Sequence, residues 1–145
     1  MTDAPLPTGP LPVECPSQPR ITPPPLACDA HAHMLASEKD FPLYESRTEN
    51  PAPGDFDTWI ARYKQHLAVL GFERGVIVHS IFFGLNNDIT TQAISRLGHD
   101  HFRGIGLVSD GAGEGELDVL RRAGVMGVRL NYVHGGILSF DGAME

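Results

Sequence analysis

The stretch Gly75-Val76-Ile77-Val78-His79-Ser80-Ile81-Phe82-Phe83 is apolar and rich in β-branched residues. That composition suits a strand covered on both faces, as in a parallel sheet. Upstream, Phe56, Trp59, Ile60, Tyr63, Leu67 and Leu70 recur at helical spacing, with Asp55 placed to cap the helix and Gly71 to stop it. Downstream, a helix starting near Asn87 or Asp88 carries Ile89, Ala93, Ile94 and Leu97 before Gly98. Residues 103–108 then read as a strand, 116–123 as a helix stopped by Gly124, and 127–133 as a fourth strand. Residues 26–33 supply the first strand. The order β-α-β-α-β-α-β predicts parallel strands joined by right-handed crossovers, in a doubly wound sheet or a (β/α)₈ barrel.

Nine of the 12 prolines fall within residues 1–25, so that segment can form neither a helix nor a central strand. It is read as an extended or disordered arm ahead of an α/β domain spanning 26–145. The connection 34–54 holds Pro42, Pro51, Pro53 and Gly54, and its length in a compact domain marks it as an active-site loop.

Eleven Lys and Arg against 18 Asp and Glu give a formal charge of -7, and the basic residues are scattered, which argues against a nucleic-acid partner. No apolar run approaches the ~20 residues needed to cross a bilayer. No leader-like segment opens the chain either, so a cytoplasmic location without membrane partners is expected. Cys15 and Cys28 do not make a disulfide framework and are read as two free thiols.

With a side-chain period of two, Asp29, His31 and His33 project from one face of the first strand, and Cys28, Ala30 and Ala32 from the other. Two neighbouring imidazoles can chelate one divalent ion if further ligands come from elsewhere, or can act as hydrogen-bonding and acid/base groups. A solvated strand end would also hold such a pair. Asp29 is placed to orient a histidine by accepting its second ring N–H. Arg129 lies in an otherwise apolar strand and shares a face with Asn131. A guanidinium there needs a partner, either a carboxylate of the protein or an anionic ligand, which it can grip with two hydrogen bonds. His79 and Ser80 end the second strand, and alternation turns one of them toward the same crevice as a substrate contact. No nucleophile-elbow glycines flank Ser80. Gly111-Ala112-Gly113-Glu114-Gly115 matches no phosphate-loop pattern and reads as a flexible loop, and His66, His99 and His101 read as exposed.

Asp29-Ala30-His31-Ala32-His33, Phe41-Pro42, Leu70-Gly71-Phe72-Glu73-Arg74-Gly75-Val76-Ile77-Val78, Gly84-Leu85-Asn86-Asn87, Phe102-Arg103-Gly104 and Gly124-Val125-Met126-Gly127-Val128-Arg129-Leu130-Asn131 occur in that order. Together, over about residues 26–140, they resemble the start of an amidohydrolase-superfamily protein. The similarity is greatest to the branch of 2-pyrone-4,6-dicarboxylate lactonase and related sugar-lactone and muconolactone hydrolases. The resemblance implies a (β/α)₈ barrel with its site at the C-terminal strand ends. It also implies that an activated water opens the lactone ring of an anionic small molecule. His31 and His33 become the catalytic first-strand histidines, and Arg129 the clamp for a substrate carboxylate. Members differ over whether the histidine pair holds a metal, so zinc or manganese on His31 and His33 is an option, not a requirement.

A complete barrel needs at least ~200 residues. The four strands here therefore correspond to its N-terminal half, expected to be inactive alone and to associate through exposed half-barrel edges, as a homo-oligomer for example. The later-strand histidine and the eighth-strand aspartate of the family have no counterpart before Glu145. The alternative is a non-catalytic α/β module that binds an anionic ligand or a partner protein through Arg129 and the proline-rich arm. A third reading is a metal-binding protein that completes the His31 and His33 set with a second copy.

Overall fold

In a computed structural model of the chain, which describes residues 5–130, four strands lie parallel in the order β1-β2-β3-β4. They are β1 (Cys28–Ala32), β2 (Arg74–Val78), β3 (Phe102–Gly106) and β4 (Val125–Val128). The crossovers are α1 (Phe56–Leu70), α2 (Asp88–Leu97) and α3 (Glu114–Arg122). Sequential order with a helix between each pair of strands is what short right-handed crossovers produce. Among the described residues no helix is long and apolar enough to cross a membrane.

Local chemistry sets the helix ends. The Asp55 carboxylate accepts the Thr58 N–H at 2.7 Å, and Gly71 closes α1 in the left-handed region at φ 75°. α2 follows Asn87 and ends at Gly98. Ile60 and Leu67 of α1, with Ile89, Ala93 and Ile94 of α2, bury against Ile77, Phe102 and Val125 of the sheet. α3 buries no residue fully and packs on the core through half-buried Leu120.

Two expectations change. The apolar run from Gly75 does not stay extended to Phe83: β2 ends at Val78, and Ile81–Phe83 make a single 3₁₀ turn capped by Ser80. Nor is the sheet covered on both faces. Gly75, Ile77, Phe102, Gly104 and Val125 are buried on the helix side, whereas Val76 and Ile105 are half-buried and Met126 and Val128 are 56% and 42% exposed. The 34–54 connection, read as an active-site loop, holds no helix or strand and sends a few residues into the core. Met34, Ala36, Phe41 and Ala52 are buried, and the Phe41 ring meets Phe56 and Phe83 edge-on at 5.1 and 6.3 Å.

Residues 5–25 contain no helix or strand. Thr8 makes an isolated bridge with Asn50, and His66 Nε2 donates to the Val13 carbonyl at 3.1 Å, which ties this segment to α1. Cys15 and Cys28 are both free and exposed.

Candidate active site

The histidine pair stands at the end of β1. His33 Nδ1 lies 2.7 Å from the Val78 carbonyl. A carbonyl only accepts, so Nδ1 carries the proton and Nε2 is left with its lone pair. His31 Nε2 sits 3.3 Å from that nitrogen, and the two rings meet edge-on with centroids 4.8 Å apart. In the neutral pair, His31 Nε2–H donates to His33 Nε2. Burial lowers the His33 pKa from its ordinary value; the nearby Arg129 and His31 charges act the same way, and the Val78 carbonyl opposes them.

Two imidazole nitrogens 3.3 Å apart could also span one edge of a tetrahedral ion, whose edge at bonds of about 2.0–2.1 Å is about 3.4 Å. A catalytic zinc keeps three protein ligands. No group of three His, Cys, Asp or Glu suited to a metal occurs among the described residues, so these residues do not complete a metal site.

Asp29 does not share the histidines' face. Asp29 pairs with Gly75 and Ala32 with Ile77, so β1 spends three residues where β2 spends two. The extra residue is a bulge, and it puts Asp29 on the helix side. There Oδ2 accepts from Tyr63 Oη at 3.1 Å, while Oδ1 accepts the His31 backbone N–H at 3.1 Å. Its oxygens therefore meet a helix residue and the backbone instead of an imidazole.

Arg129 follows β4 directly. Its N–H continues the ladder to the Gly106 carbonyl at 2.8 Å, and its Nη1 crosses the strand ends to the His79 carbonyl, also at 2.8 Å. Among the described residues no carboxylate lies within ion-pair distance of it. The guanidinium is half-buried and close enough to His33 and His79 to disfavour a proton on either. Asn131, expected beside it, lies outside the described residues.

The His79 ring does not reach the crevice. It is fully buried, with Nε2–H donating to the Gly84 carbonyl and Nδ1 accepting from Thr90 Oγ1, each at 2.9 Å. Burial, above all, lowers its pKa to about 4, against the Gly84 hydrogen bond. Its carbonyl, not its ring, serves the site. Ser80, 5% exposed, spends its hydroxyl oxygen on the Phe82 N–H.

Sequence reasoning missed two supports. Asn87 Nδ2 donates to the Leu107 carbonyl at 2.8 Å and its Oδ1 accepts the Leu107 N–H at 2.9 Å, pinning the start of α2 to the chain leaving β3. Tyr63 looked like one more apolar position of α1, and its spacing carried no sign of a hydroxyl partner. Beside β2's exit, Pro42, Tyr44, Ser46, Gly84 and Asn86 line a cleft of about 380 Å³.

No family model matches the chain. It is 32% identical over 118 residues to a 2-pyrone-4,6-dicarboxylate hydrolase of Comamonas testosteroni, covering 81% of this chain and 37% of that protein. It is 30% identical over 113 residues to a 4-sulfomuconolactone hydrolase of Hydrogenophaga intermedia, covering 78% and 36%. The chain is similar to lactone hydrolases. It spans a little over a third of the length of these curated relatives.

Two solved structures agree. A probable 2-pyrone-4,6-dicarboxylic acid hydrolase of Acinetobacter baumannii, with citric acid bound, superposes at TM-score 0.62 and 29% identity over 73% of this chain and 38% of its own. A putative enzyme of the same name from Pseudomonas putida gives 0.58 and 27% over 73% and 37%. An Agrobacterium tumefaciens protein, at 18% identity and TM-score 0.66 over 90% and 44%, shares the fold. The relatives' names support a lactonase-like family of hydrolases for this chain.

Proposed function

We propose that these residues are the first four strand–helix units of a (β/α)₈ barrel of the amidohydrolase superfamily, and that they serve to open the lactone ring of a carboxylated substrate. The observation that carries the reading is Arg129: a half-buried guanidinium held on the His79 carbonyl beside His33, with no carboxylate in ion-pair distance among the described residues. A substrate carboxylate would take its remaining donors, since arginine presents a planar fork that fits two oxygens at once. The sequential parallel sheet with helices on one face, and the exposed Met126 and Val128 on the other, fit a barrel wall whose inner face further polypeptide covers.

In this reading the carboxylate anchors on Arg129 and the His31 Nε2–H, exchanged from His33 Nε2 to the lactone carbonyl, polarises it. Water adds to the carbonyl carbon and the ring C–O bond breaks; one proton of the water ends on the departing oxygen and the other is released to solvent, leaving a carboxylate and a hydroxyl. The base that activates the water is not assigned to residues 5–130, because Asp29 faces α1.

The test is titration of 2-pyrone-4,6-dicarboxylate and of citrate into the chain and into Arg129→Ala, with ring opening followed by loss of pyrone absorbance. Binding at least about tenfold weaker in the variant is expected, as for loss of a charged hydrogen-bond partner. Equal affinity removes the clamp and the reading with it. Binding without turnover is the outcome expected of a barrel half that lacks the base, and turnover would overturn that account of the half.

A further inference from the structure

The β1 bulge sits directly beside the histidine pair. Asp29 opposite Gly75 and Ala32 opposite Ile77 leave one β1 residue over. Side chains alternate along a strand, so the extra residue reverses the facing of everything after it. Ala32 packs on the helix-side core, and His31 projects from the other side toward His33. Without the bulge, His31 would share the face of Asp29 and point at α1.

One carboxylate closes this bulge. Asp29 Oδ1 takes the His31 N–H and Oδ2 takes the Tyr63 hydroxyl, both at 3.1 Å. Tyr63 is itself fixed. Its ring meets Phe102 edge-on at 6.3 Å, and its hydroxyl lies over Gly75, where a Cβ would come within 2.5 Å of the oxygen. The missing side chain at Gly75 is therefore what lets the hydroxyl reach Asp29. Burial, with the Asp29 charge and hydrogen bond, raises the phenol's pKa, so Tyr63 stays a donor.

We propose that Tyr63 is a positioning residue: through the Asp29 carboxylate it holds the bulge that turns His31 onto His33. What the aligned pair does for a substrate rests on the lactonase reading; the relay rests on geometry alone. Removing the hydroxyl frees Oδ2 and lets the carboxylate rotate off the His31 N–H. The bulge then loses its brace, and His31 its orientation.

The experiment records long-range ¹H–¹⁵N and proton–proton contact spectra of the histidine rings, at one fixed pH, on the full 145-residue chain. Tyr63→Phe keeps the ring on Phe102 and deletes only the hydroxyl. The expected result is loss of the His31–His33 ring contact and displacement of both Nε2 signals, with the His99 signals in place. Phe102→Leu is the packing control, expected to lower the melting temperature while leaving the ring contact intact. A ring contact that survives in Tyr63→Phe overturns the proposal, as does its equal loss in Phe102→Leu. Should Tyr63→Phe not fold, Asp29→Ala reads the same contact, and its survival there overturns the relay. None of these readouts needs turnover. A chain that opens no lactone can therefore still support the relay, and an active one with unmoved rings would refute it alone.

Discussion

The imidazole of His33 is clipped to the Val78 carbonyl by a 2.7 Å hydrogen bond from Nδ1. This single contact ties the end of β1 to the end of β2, selects the tautomer and leaves Nε2 as the nitrogen that faces His31. The orientation of the His33 ring is thus set by the sheet's own backbone.

Stability should fall as the solution is acidified below pH 6.5. His79 has a folded pKa near 4 against 6.5 for the free side chain, so between these values the unfolded chain binds the extra proton. Stability then rises with pH across this window and is complete above it. His33, also lowered, adds in the same direction. His79 alone corresponds to about 3 kcal/mol by pH 4. Urea midpoints at pH 7 and pH 4 measure the drop, which should shrink in His79→Gln. A midpoint that does not change would show that His79 is not held neutral by burial.

Asn87→Asp should destabilise the chain more than an ordinary surface change. The amide nitrogen that serves the Leu107 and Leu85 carbonyls at 2.8 and 3.1 Å becomes an oxygen facing two oxygens. A loss of about 2–3 kcal/mol is expected from a buried acceptor left without its donor. Equilibrium denaturation reads it, and a change under about 0.5 kcal/mol, the range of neutral surface substitutions, would show that Asn87 does not hold Leu107.

Gly84→Ala should disturb the cleft beside β2. Gly84 has φ 57° and ψ -128°, and a Cβ there would meet Tyr44 Cδ2 at 2.9 Å. About 1–3 kcal/mol of strain is expected. The Tyr44 amide, bonded to the Phe82 carbonyl at 2.7 Å, should exchange its hydrogen faster. Unchanged exchange and melting would refute the tight fit.

Arg129→Lys should not substitute for arginine. An ammonium is a point donor and cannot hold the His79 carbonyl and both oxygens of a carboxylate in one plane. Citrate affinity should fall at least about tenfold. Near wild-type binding would mean that charge alone suffices.

Much of the architecture was legible because it rests on local rules. Asp55 and Gly71 mark the ends of α1 in the sequence, and the structure shows the cap and the left-handed turn there. What was not legible depends on partners distant along the chain. The β1 bulge exists only against β2, so simple alternation put Asp29 on the wrong face. Likewise β2 stops at Val78 because the Ser80 cap bends the chain, although Ile81, Phe82 and Phe83 continue the apolar run. In the 34–54 segment Pro and Gly announced irregular backbone but said nothing of which residues pack. Yet Phe41 and Ala52 are buried, since an irregular path can still be packed. The identity of Arg129 was visible, but its hold on the His79 carbonyl needed β4 to be aligned with β2 across β3.

The bond between Arg129 and the His79 carbonyl joins positions 50 residues apart. During synthesis the histidines and the carbonyl emerge first, and Arg129 reaches its place only once β4 has docked on β3. A nascent chain halted before that step would hold the imidazoles without Arg129 beside them. That bond therefore forms late, with the docking of the last described strand, and closes the C-terminal ends of β2 and β4 in one step.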